Sequence, residues 1–356
     1  MPNRSDTPDT PTAALAKIHK QAVIRDVEPL LKRAVGQLPQ TLREVAEYHF
    51  RWVDATGAPS RLGSRANRNV ASMTMLCVDR DEHAWRRALN GATAVNLAVG
   101  GLFLHDDVID DDRVRNAQPA AWTVFGVPAA LMTGTALMLT ALDLLAEEPQ
   151  PLSDEIRHEL SITLNIVGNG QVLDAACVRR LDHTVGEALE IIHAKTAQLA
   201  SFIVALGPRL SGAAPSQARA AAEFGLRLGY AIQLSDDLSD LLEPVDQSAD
   251  GLASDLRTRR VTAAVAHALQ TPGTAQNRIR AYYQDESPPS PQQLRELQDL
   301  LQDCGAHAWL RAEVDSYLDR AVSLLPEIID DRDVRTTAEA FIHVLCTPHQ
   351  QVQALD

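Results

Sequence analysis

Residues 104–112 read Leu-His-Asp-Asp-Val-Ile-Asp-Asp-Asp, placing five carboxylates within seven residues directly after the apolar run Asn96–Leu104. The run reads as a buried helix that ends in acid. Asp106 and Asp110 are i, i+4 neighbours, which repel by about 0.2–0.5 kcal/mol on an exposed helix and by more when buried. A helix stopping here adds the unfavourable negative end of its dipole. Positive charge must sit against these groups, and an all-oxygen donor set suits a hard divalent cation such as Mg²⁺. The spacing recurs as Asp236-Asp237-x-x-Asp240 at the end of a second apolar helix, with Gln233 one turn earlier. Mg²⁺ takes one or two carboxylates and fills its remaining positions with water and phosphate oxygens. Two facing acidic helix ends therefore form a site for a metal-held polyphosphate. Asp111 and Asp112 read as solvated loop.

The elements that position these groups are helical by period. Apolar residues recur at helical spacing from Thr12 to Val53 with breaks near Pro29 and Pro39, and a polar, Gly- and Arg-containing loop spans Asp54–Asn69. Helices follow at about 70–78 and 82–110. Pro128 suits the first turn of the next helix, and Ser153-Asp154-Glu155 reads as a cap with an acidic first turn. Further helices are expected at about 184–206, 215–243 and 261–346, with a polar loop at 244–258 and breaks at Pro272, Pro288–Pro291 and Pro326. No stretch reads as a convincing strand. The expectation is an all-α, single-domain bundle of ten or more helices around a deep central pocket, spanning residues 12–346 between a disordered N-terminus (1–11) and a C-terminal tail (347–356).

Composition narrows the function. Apolar residues make up 45% of the 356, enough for a large core, and the net charge of −14 argues against sequence-independent nucleic-acid binding or an anionic membrane surface. Cys77, Cys177, Cys304 and Cys346 have no metal-ligand spacing and read as reduced thiols of a cytoplasmic protein. The apolar stretch Val127–Ala146 carries Thr133, Thr135, Thr140 and Asp143, and reads as a buried core helix rather than a membrane span.

With both acidic triplets placed, the chain resembles the trans-isoprenyl diphosphate synthases over roughly residues 30–330. His105 to Asp110 looks like that family's first aspartate-rich motif, and Gln233 to Asp240 like its second. Gly170-Gln171-x-x-Asp174, Lys195-Thr196 and Asp255-Leu256-Arg257-Thr258-Arg259-Arg260-Val261-Thr262 resemble the family's intervening and closing motifs, with Arg260 in place of a lysine. The resemblance implies Mg²⁺, with three ions bound alongside diphosphate, gives Asp106, Asp107, Asp110, Asp236, Asp237 and Asp240 to the metals, and implies a homodimer. It assigns catalysis to Asp106, Asp107, Asp110, Lys195, Gln233 and Asp236, and the allylic diphosphate to Arg115, Lys195 and Arg260, with Gln171 nearby. Metal and cations stabilise the charge that develops on a departing diphosphate, while an apolar pocket shields the carbocation from water. Phe103, Tyr230 and Phe224 are candidates for its walls. The small residues Ala98, Gly100 and Gly101, one to two turns before Asp106, either leave room for a C15–C20 chain or permit close helix packing.

The chain departs from the resemblance where a second substrate, isopentenyl diphosphate, is expected to bind. The loop Gly63-Ser64-Arg65-Ala66-Asn67-Arg68 keeps two cations, Arg65 and Arg68, and loses one. Val99 stands where a histidine is expected, Asn116-Ala117 follows Arg115 where Arg-Gly is expected, and Gly134-Thr135 replaces Gly-Asp. A lost charged hydrogen bond is worth about 1.5–3 kcal/mol. On that count the expectation is a terpene synthase that ionises one allylic diphosphate and cyclises or eliminates it. The alternative is a chain-elongating synthase in which Arg65 and Arg68 suffice. A non-catalytic partner subunit is a third reading, disfavoured by the two intact triplets.

Overall fold

Leucine, alanine and valine at helical spacing produce a body made almost wholly of helices. The structure is a computed structural model that describes residues 10–60, 68–79, 81–115, 118–242 and 254–347. The expected disordered residues 1–9, most of the tail, Arg65 and most of its loop, and Asn116-Ala117 lie outside that range. In chain order the helices are α1 (Thr10–Gly36), α2 (Gln40–His49), α3 (Asn69–Met75), α4 (Glu82–Ile109), α5 (Ala121–Phe125), α6 (Val127–Leu145), α7 (Leu152–Ala175) and α8 (Val185–Ile192). They continue as α9 (Gln198–Ser211), α10 (Pro215–Leu242), α11 (Ser254–Thr258), α12 (Ala263–Gln270), α13 (Thr274–Gln284), α14 (Pro291–Asp303), α15 (Ala306–Ile328) and α16 (Arg332–Leu345). A π-helical turn, His193–Ala197, joins α8 to α9 in one rod. Among the described residues the only sheet is a two-residue hairpin, β1 (Val114–Arg115) with β2 (Gln118–Pro119).

Burial decides where prolines break helices. Val23, Val27, Leu31 and Val35 form an unbroken fully buried stripe across Pro29, and α1 runs through the expected break. Pro326 falls in the last turn of α15 and does not end it either. Capping behaves as chemistry requires at α4, where the Asp81 side chain accepts from the Ala84 amide, a contact worth about 1 kcal/mol. Thr184–Glu187 and Ser290–Gln293 form reciprocal capping boxes. Ser153 does not cap α7. That helix starts one residue earlier, after Pro151, and the Ser153 hydroxyl is buried without a hydrogen bond. The stretch 244–258 is not all loop, since α11 occupies its end.

Two further expectations are corrected. Val127–Leu145 is not a buried core helix: only 28% of its apolar window is enclosed, and Met132 and Leu139 are 57% and 61% exposed on one face, seven residues apart. The rod Val185–Ser211 is also long and apolar enough to cross a membrane by length and composition, and is 44% enclosed. Gly101 does not open the pocket. A Cβ there would lie 2.4 Å from the Gly134 carbonyl oxygen of α6, so the missing side chain lets α4 and α6 touch backbone to backbone. His105 reinforces the contact through Nε2, 2.8 Å from the Leu131 carbonyl oxygen. Gly101→Ala is expected to force α4 from α6 and cost about 1–3 kcal/mol, read as a lower urea midpoint at unchanged slope.

Candidate active site

The acidic end of α4 is neutralised by cations delivered from three other places in the chain. Arg115, on β1, contacts Asp107 through Nε and lies 3.7 Å from Asp106 and 3.9 Å from Asp112. Its guanidinium also covers the Phe103 ring at 4.6 Å. Lys195 lies in the π turn, where Nζ donates to Asp174 at 2.7 Å and stands 3.5 Å from Asp106 and 3.9 Å from Asp110. Arg260, two residues after α11, donates to Asp110 at 2.6 Å, contacts Asp174 through Nη1, and lies 3.4 Å from Asp255. Asp174 and Asp255 are thus site residues that the reading of the triplets left out. Their signal was present, as the acidic positions of the third and fifth motifs.

Backbone geometry sets these positions. π-Helical turns are rare and frequent at functional sites, and this one is wedged between two glycines. A Cβ on Gly170 would meet the Lys195 amide nitrogen at 2.7 Å, and one on Gly229 would meet the Ala197 Cα at 2.6 Å. Helices α7 and α10 therefore press directly on the turn that carries Lys195. Gln233 joins the turn to the second triplet: its Oε1 accepts from Thr196 at 2.9 Å, and its Nε2 donates to Asp237 at 3.1 Å. Gln171 similarly donates to Asp110 at 3.2 Å.

Electrostatics follow from burial. Desolvation pushes Asp107 up to about 6 despite Arg115. It pushes Asp237 to about 8, reinforced by Asp255 and opposed by the Gln233 hydrogen bond. Asp106 is also raised, by burial first and by Asp110, with Lys195 and Arg115 opposing. Burial alone would lower Lys195 and Arg260, yet both are raised because the surrounding aspartates outweigh it. Three enclosed polar atoms of the site have no hydrogen-bond partner among the described residues: Asp107 Oδ2, Gln171 Oε1 and Arg260 Nε. Such orphans are uncommon in native proteins and call for an explanation.

The remaining expected residues fall less neatly. Asp236 is exposed, and Asp240 accepts from the Asp255 amide at 3.3 Å where α11 begins. Among the described residues no three acidic or imidazole side chains converge on one point as a ready-made metal cage. The donor set still fits Mg²⁺, which needs only one or two carboxylates when phosphate and water complete its shell, and the orphan Asp107 Oδ2 is one unused donor. Asp111, at φ 55°, and Arg113 are solvent-facing, whereas Asp112 is half-buried and lies 3.9 Å from Arg115. Phe224 is fully buried in the core. Tyr230 stacks on Tyr317 at 4.6 Å.

An all-α body in which Asp110, Asp174, Asp237 and Asp255 line one cleft with Lys195 and Arg260 is the arrangement expected of a synthase acting on prenyl diphosphates. The polyprenyl synthetase family model matches residues 57–301, and the chain belongs to that family. It is 28% identical over 312 residues to the (2E,6E)-farnesyl diphosphate synthase of Mycobacterium tuberculosis, covering 86% of each chain. It is 27% identical over 327 residues to the geranylgeranyl diphosphate synthase of the same organism, covering 90% of this chain and 92% of the other. A polyprenyl synthetase from Streptomyces coelicolor A3(2) superposes with a TM-score of 0.81 at 27% identity, covering 91% of this chain and 98% of its own. These relatives overturn the terpene synthase reading: they are named for chain-elongated diphosphates, not for cyclised products. Of the departures behind that reading, positions 66, 116 and 117 lie outside the described residues, whereas Val99 on α4 and Thr135 on α6 lie within them.

The raised carboxylates make a signed prediction. A carboxyl whose folded pKa exceeds its ordinary value of 3.8 holds more protons folded than unfolded, so stability falls as pH rises between the two values. In EDTA, stability should decline from about pH 4 to about pH 8. Asp237→Asn should flatten the decline, measured by urea melts at each pH. A slope unaffected by Asp237→Asn would show that this carboxyl does not carry the proton.

Proposed function

We propose that this protein is a chain-elongating trans-prenyl diphosphate synthase, condensing isopentenyl diphosphate with an allylic diphosphate. The observation that carries the reading is the convergence of Arg115, Lys195 and Arg260 on Asp106, Asp110 and Asp174. Three cations arriving on acid from separate elements are the groups a diphosphate and its metal ions would share. The relatives' names support elongation rather than cyclisation.

In this reading Asp106, Asp107, Asp110, Asp236, Asp237 and Asp240 would hold Mg²⁺, three ions in all, which would supply positive charge for the leaving diphosphate. Arg115, Lys195 and Arg260 turn from the aspartates to the phosphate oxygens. They stabilise the charge that grows as the allylic C–O bond breaks. The isopentenyl double bond forms the new C–C bond, and loss of a proton restores the alkene. Gln233 and Thr196, already paired, fix Lys195 beside the departing oxygen. Purified protein with Mg²⁺, an allylic diphosphate and isopentenyl diphosphate should yield a longer prenyl alcohol after phosphatase treatment. A hydrocarbon formed from the allylic substrate alone would sink the reading. Asp106→Asn should lower turnover at least about a hundredfold, as expected for loss of transition-state charge stabilisation. Its melting temperature should hold, because burial already disfavours that charge.

The helical body of residues 12–346 is inferred to act as one catalytic unit in a soluble, cytoplasmic homodimer. The exposed face of α6, with Met132 and Leu139, and Ile162 of α7 at 46% exposure supply the apolar surface a second copy would cover. Light scattering should give twice the 38.7 kDa chain mass. Leu139→Glu should shift it to monomer, and an unchanged mass would remove this face from the interface.

A further inference from the structure

We propose that His193, Gln198 and Tyr230 form a side-chain lock that holds the π turn and so positions Lys195 for the leaving diphosphate. The lock deepens the elongating reading above, on which the role of Lys195 rests. The chain leaves the α-helical register at His193 and re-enters it at Gln198, whose backbone N–H donates to the His193 carbonyl, an i→i+5 bond. The side chains of the same two residues also meet: Gln198 Nε2 lies 2.8 Å from His193 Nε2. At about 100° per residue, side chains five apart on an α-helix point about 140° away from each other. They cannot meet across the rod. The wider π turn brings them onto one face, so this contact favours the register that the turn adopts.

The imidazole is held at its other nitrogen as well. An amide nitrogen can only donate, so Nε2 accepts from Gln198 and the ring proton sits on Nδ1. Nδ1 donates to the Tyr230 hydroxyl oxygen at 3.2 Å. Tyr230 is itself braced, its ring stacked on Tyr317 of α15 at 4.6 Å with 8° between the planes. The tyrosine expected to wall the pocket serves instead as a strut.

Helix α10 grips the turn twice. Tyr230 holds His193, and Gln233 accepts from Thr196. Residues three apart share a helix face, so both grips come from one side. Lys195 lies between the two anchored residues, its ammonium 2.7 Å from Asp174 and 3.5 Å from Asp106. Relaxation to the α register would turn the residues on one side of the bulge by up to about 100° round the axis, carrying that ammonium off the acids. Gly170 and Gly229 leave room for the π turn but do not favour it over a regular helix. The lock supplies the preference.

The test uses the full chain with Mg²⁺ and two readouts: turnover of an allylic diphosphate with isopentenyl diphosphate, and calorimetric titration of inorganic diphosphate. Gln198→Leu removes the donor at similar volume. It should lower kcat by roughly ten- to a hundredfold, the scale of a misplaced catalytic group, and raise Kd for diphosphate severalfold. Gln198→Glu should recover most of both losses, since the imidazole can present Nε2–H to a carboxylate. A double-mutant cycle with Lys195→Ala separates positioning from structure. In that background Gln198→Leu should change neither quantity further, because the lock acts through the lysine. A residue with only a structural role would impose the same loss in both backgrounds, and that result overturns the proposal. Unchanged kcat and Kd in folded Gln198→Leu overturn it too. If wild type makes no longer product, the elongating reading falls by itself, and the diphosphate cycle alone judges the lock. Should Gln198→Leu fail to fold, Tyr230→Phe, which keeps the ring stack and removes only the hydroxyl, carries the same cycle, and additive losses there overturn the proposal.

Discussion

Carboxylates taken out of water repel one another, and the centre of this molecule is organised around that cost. Asp106, Asp107, Asp110, Asp174, Asp237 and Asp255 come from the ends of α4, α7 and α10 and the start of α11, and burial raises several of them well above the ordinary carboxylate range. No single element could carry both the acids and their counter-charges, because the helix dipole at an acidic C-terminus already opposes them. The counter-charges therefore arrive from elsewhere. A two-residue hairpin brings Arg115, a π turn brings Lys195, and the segment after α11 brings Arg260. Much of the fold's irregularity lies in these three deliveries.

Seen in that light, the close helix contacts have a purpose beyond packing. Gly170 and Gly229 let α7 and α10 press on the backbone of the π turn, so that Lys195 Nζ is fixed within 4 Å of three aspartates at once. A regular helix would rotate that side chain away, since one extra residue per turn shifts every later side chain around the axis. Gln233 then links the same turn to Asp237. The two acidic helix ends are coupled through one glutamine and one lysine.

The helical class, most helix boundaries and the acidic triplets were legible because each depends on local period or spacing. Other features depend on partners distant in sequence. Ser153 has the right type for a cap, but Pro151 starts the helix and burial takes its hydroxyl. Pro29 and Pro326 looked like breaks, yet a continuous buried stripe in α1 and a terminal position in α15 outweigh the lost hydrogen bond. Gly101 could open a pocket or admit a neighbour, and only the position of the Gly134 carbonyl decides between them. Val127–Leu145 has a composition that fits core, membrane or interface alike. Asp174 and Asp255 were visible as motif positions, but their role in pairing with Lys195 and Arg260 needs three dimensions.

The same limit explains how counting motif losses misread the function. A residue-by-residue comparison treats each missing cation as a missing contact, as though every contact had to come from the same place in the chain. A diphosphate recognises charge and donors in space, and a buried guanidinium can reach it from any element that passes nearby. Here Val99 lacks an imidazole while α2 brings His49 within 3.7 Å of the Cβ position of Gly100, the adjacent residue. Arg51 is held in a left-handed turn, and among the described residues no carboxylate pairs with it.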